Sequence, residues 1–230
     1  LADAGADVSC LRTMDTESGC AFIEVNSKGQ NRIIVSAGTN RMYTEEYIQS
    51  VLEKAEAGDF VLLQNEINMV GEIIRLSHEK GCRVVFNASP IPKNPEELPL
   101  ELVDIFMVNE LEAAALAGTS AEGDFRDILK ALQKKYPKAA IVMTLGKDGV
   151  LYGYKEEFYS HPIFKVNAVD TTAAGDTFCG YFLAALCAGK SVEMALREAS
   201  AASAMAVSAK GAAPSIPVHS AMEEWLRGRS

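Results

Sequence analysis

The sequence predicts an α/β fold in which a largely parallel sheet lies between two layers of helices. Two observations lead to this prediction. Short apolar runs alternate along the chain with amphipathic segments of helical period, which is typical of βαβ units with helices on both faces of the sheet. The length of 230 residues suits one large α/β domain or a domain with a small appendage, and the 48% of hydrophobic residues are enough to bury a sizeable core.

The first predicted elements are a β-hairpin, a helix and a strand. Two β-rich runs, residues 21–25 and 32–35, flank a turn at 26–30 that contains Lys-Gly. Thr44 is a candidate N-cap of the helix that follows. The apolar run 60–64 is typical of a buried strand.

Strands and helices continue to alternate toward the C-terminus. Ile67 and Val70 lie on the apolar face of the next predicted helix, which we expect to end at Gly81. The further predicted strands are residues 83–87, 104–108, 140–145, 150–152 and 157–159, of which the last two form a hairpin. The further predicted helices are one that starts at Asn109 and four at 125–136, 175–187, 192–208 and 218–227.

The composition argues against several classes of partner. The net charge of −9 disfavours binding to nucleic acid and to anionic membrane surfaces. The sequence contains no apolar run of the roughly 18 residues that a membrane helix needs. Its five cysteines are widely spaced without a CxxC pair, which indicates reduced thiols in a cytoplasmic protein rather than a zinc site.

The segment from Asp170 to Asp176 (DTTAAGD) carries the strongest chemical signal. A turn of small residues opens directly onto an apolar helix, whose N-terminus presents unpaired N–H groups and a partial positive charge. A phosphate could approach the amides of Ala173, Ala174 and Gly175 closely, and these amides could stabilise a phosphoryl group during transfer. Asp176, in the first helical turn, could accept the proton of an attacking hydroxyl, or it could simply cap the helix.

Three further motifs are each ambiguous on their own. Residues 144–149 (TLGKDG) form a Gly-flanked turn around Lys147, which could bind a phosphate or could be an ordinary hairpin turn. Asn109 and Glu112 have the spacing of a capping box, although Glu112 could also reach Mg²⁺ through water. Residues 210–215 (KGAAPS) end a long helix, and their carbonyl oxygens could bind a cation. Neither GxxxxGK[ST] nor a GxGxxG after a strand is present, so ATP would have to be bound without a P-loop.

Together, these motifs resemble the ribokinase family of carbohydrate kinases, also called the phosphofructokinase-B family. DTTAAGDTF resembles the C-terminal signature of the family, and NELE resembles its N-x-x-E motif. TLGKDG and KGAAPS stand in the order and at the spacing of the family, and the resemblance covers nearly the whole chain. Within the family, FIEVNSKGQNRIIVSAGTN, LLQNEI and KGAAPSIP are most similar to kinases of ribose. The resemblance implies a ribokinase-like three-layer sandwich with a small β lid.

The resemblance also implies a role for each matching residue. Asp176 would be the catalytic base and would contact the sugar, together with the carboxylate of Glu66. The anion hole would be Gly175, Ala174 and Ala173. The implied nucleotide contacts are Asn109, Thr144, Leu145, Gly146, Lys147, Asp148, Gly149, Gly175 and Ser200. An activating K⁺ ion would be held by Asp170, Thr172, Ala206, Ala209, Gly211 and Ser215, and Glu112 would serve the use of Mg²⁺.

Members of the family also carry an N-terminal segment with the first sheet strand, half of the lid and a Gly-Gly motif that binds the sugar. We expect such a segment to precede Leu1. Residues 1–40 would then be part of the lid region, and residues 41–230 would be the nucleotide-binding and catalytic domain. The lid often mediates dimerisation in the family, so we expect a homodimer of the complete protein.

The expected reaction is phosphoryl transfer from ATP to D-ribose, which gives D-ribose 5-phosphate and ADP. Two alternatives stay open. One is another kinase of the same family, acting on fructose, 2-keto-3-deoxygluconate or a nucleoside. The other is a non-catalytic protein that binds a nucleotide or a sugar, although the intact DTTAAGD segment argues against it.

Overall fold

The computed structural model describes residues 1–25 and 31–229. These residues fold as two compact units, Leu1–Val103 and Asp104–Ser230. The predicted hairpin turn at 26–30 lies outside the described residues. The expected boundary at residue 40 between a lid region and a catalytic domain stays a prediction.

The N-terminal unit contains the predicted hairpin strands and the first strand–helix alternation. Its helices and strands are β1 (Cys20–Val25), β2 (Asn31–Ser36), α1 (Glu45–Leu52), β3 (Phe60–Gln64), α2 (Val70–Glu79) and β4 (Arg83–Asn87). Strands β1 and β2 pair antiparallel with Phe22 opposite Ile34, which confirms the two predicted hairpin strands. Strands β3 and β4 are parallel, and α2 packs on both of them.

The helix starts of this unit follow from local hydrogen bonds. The Thr44 hydroxyl accepts the Tyr47 N–H at 3.3 Å, so Thr44 is the N-cap of α1, as predicted. The prediction that Ile67 lies on the face of α2 is wrong, because Met69 has a left-handed backbone with φ of 60° that a right-handed helix cannot contain. The Asn68 side chain bonds both the N–H and the carbonyl of Tyr43, which fixes the chain just before that helix.

The C-terminal unit carries most of the predicted motifs. Its helices and strands are β5 (Ile105–Asn109), α3 (Glu110–Ala117), α4 (Phe125–Lys135), β6 (Ala140–Thr144), β7 (Val150–Tyr154), β8 (Glu157–His161), α5 (Ala174–Cys187), α6 (Val192–Val207) and α7 (His219–Arg227). Strands β5 and β6 are parallel, with Asn109 opposite Thr144. The pairs β6–β7 and β7–β8 are antiparallel, which confirms the predicted hairpin.

The core of the C-terminal unit lies between its strands and the helices that flank them. Phe106, Ile141 and Met143 on β5 and β6 have no exposed surface, and each such buried side chain stabilises the fold by about 1.5–3 kcal/mol. Helix α4 packs on β6 and β7, and α6 packs on β8 and α5. The parallel pairing of β5 with β6 places the carboxyl ends of these two strands side by side. None of the described helices is long and apolar enough to cross a membrane.

Candidate active site

A cavity of about 630 Å³ lies in the C-terminal unit, where β5 and β6 end. Cavities of this size commonly hold small molecules and cofactors. The predicted nucleotide contacts that line it are Asn109, Thr144, Gly146, Lys147, Gly149, Gly175 and Ser200. Leu145 is buried, and both Leu145 and Asp148 line a neighbouring cavity instead. The structure therefore brings most of the predicted nucleotide contacts to one place.

The turn between β6 and β7 is at once a hairpin turn and a wall of this cavity. Leu145 donates its N–H to the Gly149 carbonyl at 2.8 Å, which closes the turn. Gly149 has φ of 95°, and a Cβ there would overlap the carbonyl oxygen of His161. The hairpin interpretation of this motif is therefore confirmed. The two cations among the described lining residues are Lys147, in this turn, and Lys165.

The N-terminus of α5 forms another part of the cavity. Ala173, its N-cap, has a left-handed backbone with φ of 59°, a conformation that costs an L-residue about 1–2 kcal/mol and that often marks a functional site. The Ala174 N–H makes a long bond of 3.3 Å to the Thr171 carbonyl. Gly175 has no positive φ, and a Cβ on it would meet nothing within 4 Å. Neither backbone conformation nor packing requires this glycine, so it leaves room for a ligand at the helix terminus.

Asp176 follows Gly175 in the first turn of α5. Its residue surface is exposed, and it does not itself line the cavity. The N-cap of this helix, Ala173, has no side-chain oxygen with which to cap it. A carboxylate in this position lies near the positive end of the helix dipole. It is thus an exposed carboxyl side chain on the residue that follows Gly175, which does line the cavity.

Asp170 connects the segment before α5 to the segment after α6 through hydrogen bonds of its carboxylate. One carboxylate oxygen of Asp170 accepts the Thr172 N–H at 2.9 Å, and the other accepts the Gly211 N–H at 3.0 Å. Hydrogen bonds from Thr172 and then from Gly211 lower the pKa of Asp170 from 3.8 to about 2. Three members of the predicted K⁺ site, Asp170, Thr172 and Gly211, therefore lie together.

The other members of that predicted set lie at or after the end of α6. The Ala206 carbonyl accepts the Ala209 N–H at 3.1 Å, which closes the last turn of the helix. Ser215 is buried, and its hydroxyl donates to the Ala212 carbonyl at 2.8 Å. Over residues 1–25 and 31–229, no group of three or more His, Cys, Asp or Glu side chains is arranged to hold a metal ion.

Asn109 and Glu112 form a complete capping box at the start of α3. The Asn109 side chain accepts the Glu112 N–H at 2.8 Å, and the Glu112 carboxylate accepts the Asn109 N–H at 2.9 Å. Glu112 is buried and does not line the cavity, whereas Asn109 does. The capping interpretation is confirmed, and one carboxylate oxygen of Glu112 is occupied as the acceptor of the Asn109 N–H.

Glu66, the predicted sugar-binding carboxylate, belongs to the N-terminal unit. It is exposed and follows β3 by two residues. The preceding Asn65 donates its backbone N–H to Ser89 and its side-chain amide to Pro90, each at 3.0 Å. These bonds fix the chain next to Glu66.

One part of the cavity was not predicted from the sequence. The irregular segment between β8 and Asp170 contributes Ile163, Phe164 and Val166 to the lining. The available signal was an apolar run without helical period directly before DTTAAGD. Helix α6 adds Ser203, whose hydroxyl donates to the Ala174 carbonyl at 3.0 Å and so ties α6 to the start of α5.

The cavity therefore combines an apolar wall, two lysines and a helix N-terminus. Apolar walls suit a flat aromatic base, whereas lysines and helix N-termini favour phosphate groups. Together these features fit a nucleotide in chemical character.

Comparison with known proteins agrees with this description. The family model described as "pfkB family carbohydrate kinase" matches residues 1–219. A ribokinase of Haemophilus influenzae is 34% identical over 98% of this chain and 75% of its own length. A deoxyribokinase of Salmonella typhi is 30% identical over 92% of this chain and 70% of its own length. The structure of Arabidopsis thaliana ribokinase complexed with ribose and ATP superposes with a TM-score of 0.78 at 31% identity, covering 93% of this chain and 70% of that one.

Proposed function

This chain belongs to the pfkB family of carbohydrate kinases, and from that premise we propose that it transfers the γ-phosphoryl group of ATP to D-ribose. That it is an ATP-dependent carbohydrate kinase with a ribokinase-like α/β fold follows from the family and from its ribokinase relatives. The observation that supports phosphoryl transfer by this chain is the cavity at the N-terminus of α5, lined by Lys147 and Gly175. The choice of ribose is supported by the similarity to ribokinases. The products would be D-ribose 5-phosphate and ADP.

Asp176 is the proposed general base. The primary hydroxyl of ribose attacks the γ-phosphorus in line, a new O–P bond forms, and the bond from phosphorus to the β-phosphate oxygen breaks. The hydroxyl proton passes to the Asp176 carboxylate. The exposure of Asp176 in the first turn of α5, next to the open Gly175, supports this role. A base positioned in this way typically contributes about 10²- to 10⁴-fold in rate.

The start of α5 is the proposed anion hole. Ala173, Ala174 and Gly175 would direct backbone N–H groups at the oxygens of the transferred phosphoryl group. The existing bond of the Ala174 N–H to Thr171 is long, at 3.3 Å, and a Cβ on Gly175 would meet nothing within 4 Å, so both leave scope for a ligand. The remaining phosphate oxygens would face Lys147 and the turn 144–149, while Asn109 and Ser200 would lie along the rest of the nucleotide.

Mg²⁺ is the metal ion that we expect to bind together with ATP, where it would neutralise charge on the phosphate oxygens. Magnesium prefers oxygen ligands and keeps several waters. Because one oxygen of Glu112 already accepts the Asn109 N–H at 2.9 Å, Glu112 suits contact through water rather than direct ligation.

A K⁺ ion is the proposed activator beside the anion hole, where it would add positive charge. The donor set fits such a hard cation in chemistry, because it consists of oxygen atoms from backbone carbonyls, a hydroxyl and one carboxylate. The bonds of Asp170 to Thr172 and Gly211 support the proposal, since they hold together the two segments that would supply those oxygens. The remaining proposed ligands are Ala206, Ala209 and Ser215.

Glu66 is the proposed sugar-contacting carboxylate, and its exposure is consistent with that role.

The proposed assembly is a homodimer through β1 and β2, where Phe22, Ile34 and Val35 are 62%, 50% and 68% exposed. The proposed location is the cytoplasm, which suits a chain whose described cysteines are all free thiols.

A panel of acceptors tests the choice of sugar. ADP release by the complete protein is measured with ribose, 2-deoxyribose, fructose, 2-keto-3-deoxygluconate and a nucleoside, each with ATP and Mg²⁺. We expect the highest kcat/KM with ribose. A deoxyribokinase relative is a specific reason to include 2-deoxyribose. A clear preference for any other acceptor overturns the ribose assignment, and ATP binding without ADP release for every acceptor favours a binding protein.

A further inference from the structure

The C-terminal helix α7 carries Trp225, the only tryptophan of the chain. The indole ring of Trp225 meets the ring of Phe164 edge-to-face, with centroids 5.2 Å apart and planes at 75°. This is a favourable geometry for two aromatic rings. The Arg229 guanidinium lies 3.7 Å from the indole centroid and packs against the same ring.

Phe164 itself lies in neither a helix nor a strand, so side-chain contacts determine where its ring lies. A second ring, that of His161, lies 5.2 Å from it at 39°. Phe164 and Trp225 also pack on the buried cluster of Ala201, Ala202 and Met222. Phe164 is therefore held between the end of β8 and helix α7.

The same Phe164 lines the nucleotide cavity, whereas Trp225 does not. Ala201 and Ala202 belong to the stretch of α6 that also gives Ser200 and Ser203 to the cavity lining. Phe164 and this stretch of α6 thus form one continuous wall. Helix α7 supports that wall from outside the cavity.

We propose that Trp225 is a positioning residue for the nucleotide base, acting through Phe164. With Trp225 in place, the Phe164 ring is fixed as an apolar surface against which the base of ATP or ADP packs. Without it, the ring can move toward the space that Trp225 vacates, and the wall loses its shape. The inference rests on the proposed function only in that the bound nucleotide is ATP or ADP.

The kinetic test compares Trp225→Ala, Trp225→Phe and the control Glu224→Ala in the complete protein. We expect Trp225→Ala to raise KM for ATP about three- to tenfold, the range that one aromatic contact supports, and to change kcat and the KM for sugar much less. Trp225→Phe retains an aromatic ring and should restore most of the ATP affinity. Glu224 is an exposed residue on the same helix, so its variant should resemble the wild type. An ATP KM within twofold of wild type in Trp225→Ala, or equal losses in kcat and affinity, overturns the proposal.

A spectroscopic test does not depend on the sugar. The difference in emission between the wild type and Trp225→Phe isolates the signal of Trp225, whose ring packs on this wall. Addition of ADP should change that emission in the wild type, and Phe164→Leu should weaken both the change and the ADP affinity measured by calorimetry. If Trp225→Ala fails to fold, Phe164→Leu still tests whether the contact between Phe164 and Trp225 contributes to nucleotide binding. Unchanged emission on saturation with ADP, or no ADP binding at all, overturns the proposal. ADP binding with the expected emission change, but without phosphorylation of ribose, would contradict the ribose assignment alone.

Discussion

Asp170 shows how one side chain can serve both the fold and the proposed chemistry. Its two carboxylate oxygens accept N–H groups from Thr172 and Gly211, and so hold the start of the DTTAAGD segment against the segment after α6. These bonds lower its pKa to about 2. A carboxylate whose pKa is lowered in the folded state stabilises that state above its unfolded pKa, and the contribution disappears as pH falls through the folded pKa.

We therefore predict that Asp170→Asn lowers the melting temperature at neutral pH, because an amide cannot accept both bonds as strongly. The difference from wild type should shrink as pH falls from about 4 to about 2, where the wild-type carboxylate becomes protonated. Thermal unfolding of both proteins across this range checks the prediction. Asp15→Asn, at an exposed position, is the control. A difference between Asp170→Asn and wild type that stays constant over the whole range would show that the Asp170 charge contributes nothing.

Residues differ in how far their roles could be predicted from the sequence. The capping box of Asn109 and Glu112 depends on side chains three positions apart, so the local pattern was sufficient. The second bond of Asp170 joins residues 41 positions apart, and no local pattern encodes it. Phe164 was missed for the same reason, because its place in the cavity wall depends on contacts with Trp225 on α7.

Among the elements, the turn between β6 and β7 shows how the fold constrains a wall of the cavity. Gly146 and Gly149 both have positive φ, at 53° and 95°. They differ in surroundings: a Cβ on Gly146 would meet nothing within 4 Å, whereas a Cβ on Gly149 would overlap the His161 carbonyl. Gly146 is therefore favoured only by its backbone conformation, whereas Gly149 is favoured by its backbone conformation and also by the lack of space for a Cβ.

This difference predicts unequal effects of the same substitution. Gly149→Ala should destabilise the protein by about 2 kcal/mol or more, because backbone strain and overlap with β8 add together. Gly146→Ala should cost only about 1 kcal/mol, the strain of a left-handed alanine. Denaturant unfolding of the two variants gives both values. Equal losses would mean that the approach of β8 to Gly149 is not a determinant of stability.

The order and type of most elements followed from their patterning, since β4 to β7 are short and mostly buried apolar runs and helices such as α1, α2 and α4 are amphipathic. The start of α2 did not, because the left-handed Met69 is compatible with the same apolar pattern that a longer helix would have. The segment between β8 and α5 forms neither a helix nor a strand, so the place of its apolar residues in the cavity wall depends on tertiary contacts.

On the scale of the whole molecule, an acidic chain has to bind a polyanionic nucleotide. The net charge of −9 repels ATP at long range. Attraction must then be local, and the cavity offers Lys147, Lys165 and the N-terminus of α5 for it. Mg²⁺ on the phosphates would reduce the remaining repulsion. In the proposed site, these few positive groups would therefore have to supply the local attraction for the phosphates.

Phosphoryl transfer by an Asp176→Asn variant of the complete protein is the most direct test of the account. Single-turnover transfer from ATP to ribose should slow by about 10²- to 10⁴-fold, while ATP affinity and melting temperature stay close to wild type. Asp127→Asn is a matched control, because Asp127 occupies the same third position of α4 that Asp176 occupies in α5. Its transfer rate should not change. A near-normal transfer rate in Asp176→Asn would contradict the account and leave Asp176 as a helix-terminal charge only.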